Sequence, residues 1–196
     1  MKSSIIDLRN DLKVRLSPFR YEHTISVSFM CSALAMCYDY DLDRAELAGL
    51  LHDCAKCYGN DEIIIKCKKR DIDITDEEQK APAVLHAKYG AWLAKHKYSV
   101  EEPEVLEAIR WHTTGKPNMT MLDKIVFTAD YIEPRRDQAP DLSFVRSLAF
   151  LDLDEAVYQI LKDTLGYLDK KGSSVDSMSK QAYAYYKQVH MEKKGE

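Results

Sequence analysis

The chain has 196 residues, of which 45% are hydrophobic and 31% are charged, as is typical of one soluble globular domain. A net charge of −4 excludes an overall basic field for nucleic-acid binding, and no apolar run approaches the roughly 18 residues of a membrane helix. The N-terminal segment MKSSIIDLRNDLK is too charged for a signal peptide, so the sequence predicts a cytoplasmic protein that binds neither nucleic acid nor membranes.

Apolar residues recur at spacings of three and four along most of the chain, which indicates helices. Only seven glycines and six prolines interrupt the pattern. In chain order, the predicted helices span residues 3–17, 23–40, 42–57, 60–70, 81–96, 101–115, 121–134, 141–150, 151–172 and 177–190. A polar connection is predicted between the fourth and fifth helices. No repeat or linker divides the chain, so the sequence predicts a single all-α domain over residues 1–196.

Local signals predict where several of these helices begin. Asp43 is expected to cap the third helix, and Asn60 or Asp61 to open the fourth. Pro82 fits the first turn of the fifth. The run IIIK at residues 63–66 is the one stretch that also suits a β-strand.

The odd number of cysteines, without a secretion signal, predicts reduced thiols. Cys54 and Cys57 form a C-x-x-C pair. A zinc ribbon would need a second such pair and a thioredoxin-like motif would need βαβ surroundings, so no function is expected for this pair. The other three are Cys31, Cys37 and Cys67.

Four histidines and two aspartates occupy similar settings, each beside small residues where an apolar helical stretch meets a polar side chain. They are His23, His52, Asp53, His86, His112 and Asp130. Imidazole nitrogens and carboxylate oxygens are preferred ligands of first-row divalent metals, and a helix bundle can bring such residues to one point. His96 and His190 lack these surroundings and are expected to lie outside the set.

Each residue of this set also has a simpler explanation. A lone histidine on an apolar helix face is usually a hydrogen-bonded core residue, and Asp130 alone would more commonly be a cap or an ion-pair partner. The adjacency of His52 and Asp53 favours the metal, because an aspartate in an apolar helix would otherwise carry an uncompensated charge inward.

The order His23, His52-Asp53, Asp130 resembles the motif of the HD superfamily of metal-dependent phosphohydrolases, and His86 with His112 resembles its two-metal members. The segments RYEHTISV, LLHDCAK, LHAKYGA and AIRWHTTGKPNMTMLDKIVFTADYIEPRRD are similar to the YqeK-type family of symmetrical diadenosine tetraphosphate hydrolases. The resemblance covers about residues 18–185 and implies an all-α HD-domain helical bundle.

The resemblance implies two divalent metal ions with Asp53 as a shared ligand. One ion would take His23, His52, Asp53 and Asp130, and the other would take His86, His112 and Asp53. The family favours iron, while manganese, zinc, nickel and cobalt also suit nitrogen and oxygen ligands. The implied reaction is attack of a metal-activated hydroxide on an inner phosphorus of diadenosine tetraphosphate, which yields two ADP.

Cationic and hydroxyl side chains near the motif are candidate substrate ligands. Lys56 is expected to act in catalysis with His52 and Asp53, and would share a helix face with His52 if that helix continued; a solvated surface lysine is the alternative. The other candidates are Arg20, Thr113, Thr114, Lys116, Arg135 and Arg136 for phosphate, and Tyr131 for a base. At least one of the two adjacent arginines is expected to face solvent, and Trp111 to pack in the core.

Two other functions agree with the same sequence. One is a different HD phosphohydrolase activity, such as that of a nucleotidase, a dNTP triphosphohydrolase or a cyclic-nucleotide phosphodiesterase. The other is non-enzymatic: a nucleotide-binding module that acts as a sensor, or a partner-binding module whose metal is structural. Tyr183, Tyr185 and Tyr186 in the last helix are expected to pack in the core, with a homodimer contact as the alternative.

Overall fold

The computed structural model describes residues 4–195, which fold into helices without any β-strand. A short 3₁₀ helix, Pro82–Val84, precedes the sixth α-helix. The α-helices are α1 (Ile5–Arg15), α2 (Pro18–Cys37), α3 (Leu42–Leu51), α4 (Asn60–Lys68), α5 (Asp76–Lys80), α6 (Leu85–His96), α7 (Pro103–Trp111), α8 (Met121–Ile132), α9 (Leu142–Ala149), α10 (Leu153–Lys170) and α11 (Ser177–Lys194). The all-α prediction is confirmed. In the described range, no helix has both the length and the apolar character needed to cross a membrane.

Helix α2 packs against α3 and α8, and α7 contacts α3, α6 and α8. The close approach of α2 and α3 depends on Gly49, because a Cβ atom there would lie 2.7 Å from Cys31 Sγ and 2.9 Å from Ser28 Cα. This packing holds the end of α3, and the His52–Asp53 pair that follows it, against α2.

Two predicted helix starts are wrong. Helix α2 begins at Pro18 with Ser17 as its N-cap, so His23 lies in the second turn and not at the start. Helix α3 is capped by Asp41, whose ψ of 113° is non-helical and whose side chain accepts a backbone hydrogen bond in the first turn. Asp43 is already helical and cannot cap; its charge instead favours the positive end of the helix dipole.

Helix α3 ends at Leu51, and residues 52–57 form consecutive turns that begin with His52 in a helical backbone conformation. Backbone hydrogen bonds there join residues three apart, such as Lys56 N to Asp53 O at 2.9 Å. Side chains three residues apart eclipse each other in turns of this kind. Lys56 is therefore in register with Asp53, and the continued helix face that it was expected to share with His52 does not form.

Two further segments test the helix predictions. Residues 63–66 lie inside α4, which confirms the helical interpretation of IIIK over the strand. The predicted polar connection contains the short helix α5, which begins with a capping box between Thr75 and Glu78. The sequence analysis missed it because five residues are too few to show a helical period.

The tyrosine-rich helix α11 packs along α10. Tyr186 is buried, and its hydroxyl accepts a hydrogen bond from Met119 N at 3.1 Å. Tyr183 stacks on Tyr158, and Tyr185 meets the Tyr186 ring edge-on. The core prediction is confirmed most fully for Tyr186.

All five cysteines lie in the described range and are free, as predicted. Cys54 is buried with its Sγ 3.6 Å from Gly90 O, and burial raises the pKa of its thiol. Cys57 Sγ contacts Cys54 O at 3.7 Å. Because the Cys54 thiol stays protonated, the C-x-x-C pair is poorly suited to bind metal.

Candidate metal centre

Three of the four candidate histidines are held in the same way by the backbone that precedes them. In each, Nδ1 lies within hydrogen-bond distance of the carbonyl oxygen three residues earlier. The pairs are His52 with Gly49 O at 2.7 Å, His86 with Ala83 O at 2.6 Å and His112 with Ile109 O at 2.7 Å. A carbonyl oxygen only accepts, so Nδ1 carries the proton and the Nε2 lone pair is free for a cation.

His23 is held by a carboxylate instead. Its Nδ1 lies 3.2 Å from Glu133 Oε1, and both side chains are buried. Glu133 directly follows α8, so this contact depends on the packing of α8 against α2. The carboxylate gives His23 the same tautomer as the other three rings, with Nε2 unprotonated.

Asp53 lies between two pairs of histidine nitrogens. Its Oδ2 is 3.7 Å from His23 Nε2 and 3.5 Å from His52 Nε2. Its Oδ1 is 3.2 Å from His86 Nε2 and 3.6 Å from His112 Nε2. Each oxygen of this one carboxylate therefore faces a different pair of imidazoles, which is the arrangement expected of a ligand shared between two cations.

Asp130, in the last turn of α8, joins the first pair. Its Oδ1 lies 3.1 Å from His23 Nε2 and 4.0 Å from His52 Nε2. Single ligand atoms of His23, His52 and Asp130 all lie within 4.8 Å of one another, and so do those of His52, Asp53 and His112. Both trios have the compactness that a metal ion needs.

In the second pair, two imidazole nitrogens face each other. His86 Nε2 and His112 Nε2 are 3.1 Å apart, and Thr113 Oγ1 lies 3.2 Å from the first and 3.1 Å from the second. Both nitrogens are acceptors in the tautomer described above, and one hydroxyl proton serves only one of them. A cation would satisfy both lone pairs.

The first pair also fits a metal. His23 Nε2 and His52 Nε2 are buried without a hydrogen-bond partner in the part of the chain that the structure describes. Their nearest neighbours, Asp53 and Asp130, are acceptors as well. Leaving a polar atom buried and unsatisfied costs about 1–3 kcal/mol, which a divalent cation would offset. Nitrogen and oxygen donors without thiolate suit first-row divalent metals.

The electrostatics of the cluster favour ionised carboxylates and one neutral imidazole. Burial opposes ionisation of Asp53, but the nearby His52 and His112 outweigh it and hold the pKa of Asp53 well below its usual range. Burial also opposes ionisation of Asp130, but its hydrogen bond with His23 and the charge of His52 have the larger effect and lower the pKa of Asp130. Burial lowers the pKa of His86 to about 4, so this ring is neutral, as a metal ligand must be.

Burial also disfavours a charge on His52, but the carboxylates of Asp53 and Asp130 outweigh it and raise its pKa. The two buried carboxylates thus attract positive charge to the first pair. A divalent cation supplies that charge without a proton on the His52 ring.

Three cationic side chains surround the carboxylates. Arg20 Nη1 lies 2.7 Å from Asp53 Oδ2, and Arg136 Nη2 lies 3.3 Å from Asp130 Oδ1. Lys56 is half-buried. Burial and the nearby charge of Arg20 lower the pKa of Lys56, although the carboxylates of Asp53 and Asp130 favour its charged form. No ion pair engages the Lys56 ammonium within residues 4–195, so it is available to an anionic ligand.

A cavity of about 460 Å³ adjoins the cluster. Its wall on the cluster side is formed by His112, Thr113 and Asp130, and its other walls come from α8, residues 136–140 and α10. A ligand in this cavity would therefore contact the cluster directly.

Comparison with known proteins agrees with this geometry. The family model described as the HD domain matches residues 20–135, which include all six candidate ligands. The chain belongs to the HD-domain family.

Several relatives of this HD-domain protein are similar to it over most of their length. The symmetrical bis(5'-nucleosyl)-tetraphosphatase of Halalkalibacterium halodurans is 39% identical over 93% of this chain and 95% of its own. The enzyme of the same name from Bacillus subtilis is 38% identical over 84% and 87%. A crystal structure of an HD superfamily hydrolase from Clostridium acetobutylicum superposes with a TM-score of 0.93 at 33% identity, covering 96% of this chain and 100% of that one. This likeness confirms the HD-domain helical bundle.

Three predicted substrate residues of this HD-domain protein, Thr113, Tyr131 and Arg136, line the cavity. Arg135 instead pairs with Glu22 at 2.9 Å on the exposed surface. The two adjacent arginines therefore lie in different surroundings, and Arg136 is the one beside the HD cluster.

Lys116 and Thr114 already have protein partners. Lys116 Nζ lies 3.0 Å from Oδ2 of the buried Asp123 and 3.3 Å from Glu107 Oε2. Thr114 is buried and donates to Gly115 O at 3.0 Å. Substrate contacts by these two residues stay a prediction, and neither lines the main cavity.

The two histidines set apart in the sequence analysis lie outside the HD cluster. His190 Nδ1 is 2.7 Å from Glu155 Oε2, and its ring stacks on Tyr158. His96 is exposed and stacks on Trp92. Both contacts explain these rings without a metal.

Sequence reasoning missed Glu133 and most of the cavity wall. A glutamate before a proline at a helix end is typical of an exposed position, so the sequence carried no signal for its burial. The cavity residues of α10 were missed because their spacing is that of an ordinary amphipathic helix.

Proposed function

We propose that this HD-domain protein is a symmetrical bis(5'-nucleosyl)-tetraphosphatase that hydrolyses diadenosine tetraphosphate to two ADP. The single observation that carries the proposal is the position of Asp53, whose two oxygens each face a separate pair of histidines. Relatives at 38–39% identity over most of both chains bear this name.

The metal content is part of the proposal. Two divalent ions would fit on the two sides of the Asp53 carboxylate. His23, His52, Asp53 and Asp130 would hold one ion, and His86, His112 and Asp53 would hold the other. We infer iron as the physiological metal, with manganese, zinc, nickel or cobalt as substitutes. When bound, the ions supply a water of lowered pKa and neutralise phosphate charge.

The protein's own residues bind and orient the substrate in this proposal. Arg20, Lys56 and Arg136 surround the carboxylates, and they would neutralise a polyphosphate as it approaches the cluster. Thr113 Oγ1 is close to both nitrogens of the second pair and can donate to a phosphate oxygen. An ADP leaving group is already acidic, so positioning and electrostatic stabilisation supply most of the catalysis.

The localisation and ligand class are also proposals. We infer a cytoplasmic enzyme, because five free cysteines fit a reducing compartment. We infer small nucleotides as its ligands, because Arg20 and Arg136 lie beside the carboxylates of the cluster. A basic surface large enough for nucleic acid would require many more exposed cations on one face.

Metal analysis combined with a product assay tests the function. Protein reconstituted with iron or manganese should hold about two ions per chain and release ADP as the sole product from diadenosine tetraphosphate. Release of AMP with ATP, or of a nucleoside with a polyphosphate, would identify a different HD phosphohydrolase. Two bound ions with tight nucleotide binding and no turnover would support the non-enzymatic alternative.

Two substitutions link the products to the cluster. His52→Ala and Asp53→Ala should abolish metal binding and turnover together. His52 belongs to both compact groups of ligand atoms, and Asp53 faces both pairs of histidines. Replacement of the outlying His96 by Ala is the matched control and should leave both unchanged. Normal turnover in either cluster variant would contradict the assignment of the site.

A further inference from the structure

The turn that follows α8 connects two parts of the candidate site. Glu133, the first residue after the helix, contacts Nδ1 of the candidate metal ligand His23 at 3.2 Å. Three residues further on, Arg136 lines the cavity and lies 3.3 Å from Asp130 Oδ1. The conformation of residues 132–136 therefore sets the position of a carboxylate that orients a metal ligand and of a cation that faces the substrate.

The side chain of Arg146, in α9, binds the backbone of this turn at three points. Its Nε donates to Ile132 O at 2.9 Å, and its Nη2 donates to Glu133 O at 2.8 Å and to Arg136 O at 3.0 Å. These oxygens belong to the first two residues and the last residue of the segment 132–136. A planar guanidinium holds such oxygens in a fixed arrangement because its N–H groups form a rigid fork.

The charge of Arg146 is directed at the end of a helix. The side chain is half-buried, and its guanidinium forms no ion pair within residues 4–195. The last carbonyl oxygens of a helix lack intrahelical partners and carry partial negative charge. Ile132 O is one of these oxygens in α8, so Arg146 satisfies an acceptor and favours the helix dipole. The effect of the three hydrogen bonds is therefore on the backbone that accepts them.

Within the turn, the carboxylate of Glu133 is fixed by a backbone donor. Its Oε2 accepts a hydrogen bond from Arg135 N at 2.8 Å, and its Oε1 faces the His23 ring. The first contact depends on the path of the chain through residues 132–136, and it directs the carboxylate toward the imidazole. A displacement of the turn should therefore reach His23 through Glu133.

The same turn places Arg136. Its backbone N donates to Glu133 O at 3.0 Å, and this oxygen also accepts from Arg146. Its side chain extends back to the end of α8, where Nε and Nη2 lie 3.1 Å and 3.0 Å from Asp130 O. A displacement of the turn should therefore also move the guanidinium that faces the cavity.

We propose that Arg146 is a positioning residue, which acts through Glu133 on the metal ligand His23 and through Arg136 on substrate phosphate. Arg146 does not line the cavity, and in the described part of the chain its hydrogen bonds go to none of the six candidate ligands. The phosphate part of the inference rests on the proposed function, whereas the metal part depends only on the ligand cluster.

A double-mutant cycle with Glu133 tests the metal part. Arg146→Lys keeps the positive charge but replaces the rigid fork with a single ammonium. Chelator competition measures manganese affinity in the wild-type protein, Arg146→Lys, Glu133→Gln and the double variant. Arg146→Lys should weaken manganese binding by roughly tenfold when Glu133 is present, as for loss of an outer contact to a metal ligand. In the Glu133→Gln background it should have little further effect, because the contact through which it acts is already weakened.

A second cycle with Arg136 tests the phosphate part. Calorimetry measures the binding of methylenediphosphonate, a non-hydrolysable diphosphate, to protein saturated with manganese. Arg146→Lys should weaken this binding by about tenfold, as expected when a charged hydrogen bond is lost. In the Arg136→Met background the same substitution should have little further effect.

Val145→Ala is the matched control, because Val145 is buried on the same helix and its truncation loosens the packing of α9 without removing the guanidinium. It should lower the urea midpoint of the metal-free protein and leave both affinities unchanged. If Arg146→Lys does not fold, Arg146→Gln enters both cycles, since it keeps a planar group with N–H donors. Equal weakening with and without the partner side chain, in either cycle, would overturn the proposal. Equal effects of Val145→Ala and the Arg146 variant on the affinities would do the same.

The product assay separates this inference from the proposed function. If both cycles show coupling but diadenosine tetraphosphate is not cleaved to ADP, the proposed function fails and the positioning role of Arg146 stands. If ADP is the sole product but the effects of Arg146→Lys and Glu133→Gln on manganese affinity simply add, the function stands and Arg146 has only a structural role.

Discussion

Glu133 Oε1 lies 3.2 Å from Nδ1 of His23, so the cluster histidine in the second turn of α2 is oriented by a buried carboxylate. His52, His86 and His112 are oriented by neutral backbone carbonyls instead. A carboxylate partner raises the basicity of an imidazole ligand more than a carbonyl does. His23 should therefore bind metal more strongly than it would with a backbone carbonyl as its partner.

Glu133→Gln tests this effect. The amide keeps the size and one acceptor oxygen but removes the charge, so we expect metal affinity to fall by roughly 10- to 100-fold while the fold is retained. Competition with a chelator measures the affinity, and thermal unfolding of the metal-free protein checks the fold. Glu22→Gln, which removes only the exposed pair with Arg135, is the control. Equal affinity in the two variants would show that the carboxylate has no effect on His23.

Arg20→Met should separate metal binding from substrate binding. Arg20 Nη1 lies 2.7 Å from Asp53 Oδ2, the oxygen that also faces His23 and His52. The guanidinium and a metal ion compete for this oxygen, so its removal should leave metal affinity unchanged or higher. The KM for substrate should rise by about tenfold or more, because a charged hydrogen bond contributes about 1.5–3 kcal/mol.

Steady-state kinetics and metal analysis of the same preparation check both effects of Arg20→Met. Arg135→Met is the control, since Arg135 carries the same charge but pairs with Glu22 away from the cluster. Loss of metal in Arg20→Met would instead mean that Arg20 holds Asp53 in place.

Lys56→Met should reduce catalysis without loss of metal. The Lys56 side chain is half-buried, in register with Asp53, and makes no ion pair among the described residues. Its ammonium should therefore bind substrate phosphate, so the variant should have a higher KM or a lower kcat with normal metal content. Lys68→Met, on the exposed face of α4, is the control. A drop in metal content would identify Lys56 as a structural residue.

The sequence could predict the cluster but not how it is held. Ligand-type side chains at the ends of apolar helical stretches can be recognised in the sequence, and the structure brings all six together. The tautomers depend on backbone turns, and the contact of His23 with Glu133 depends on how α8 packs on α2. Such contacts between distant segments leave no local pattern.

The same limit explains the errors at helix ends and the missed cavity. Asp41 and Asp43 are both good caps by residue type, and only the backbone conformation at Asp41 distinguishes them. Asp163 lies 33 positions after Asp130 on an amphipathic helix, where an acidic residue is usually solvated. Asp163 instead lines the cavity together with residues of α8 and the segment 136–140.

Gly49→Ala should destabilise the protein and weaken the metal centre together. The added Cβ would lie 2.9 Å from Ser28 Cα, which is backbone, so α2 and α3 must move apart. Overpacking of this kind costs about 1–3 kcal/mol. The Gly49 carbonyl also accepts from His52 Nδ1 at 2.7 Å, so the displacement should shift a metal ligand as well.

Gly166→Ala is the matched control, because Gly166 lies in α10 with nothing within 4 Å of the added atom. The same chemical change there should stabilise the protein by about 0.5–1 kcal/mol, since alanine favours a helix over glycine. Urea unfolding measures both free energies, and chelator competition measures metal affinity. If Gly49→Ala were as stable as Gly166→Ala, the α2–α3 contact would be loose enough to admit a methyl group, and it could not be what positions His52.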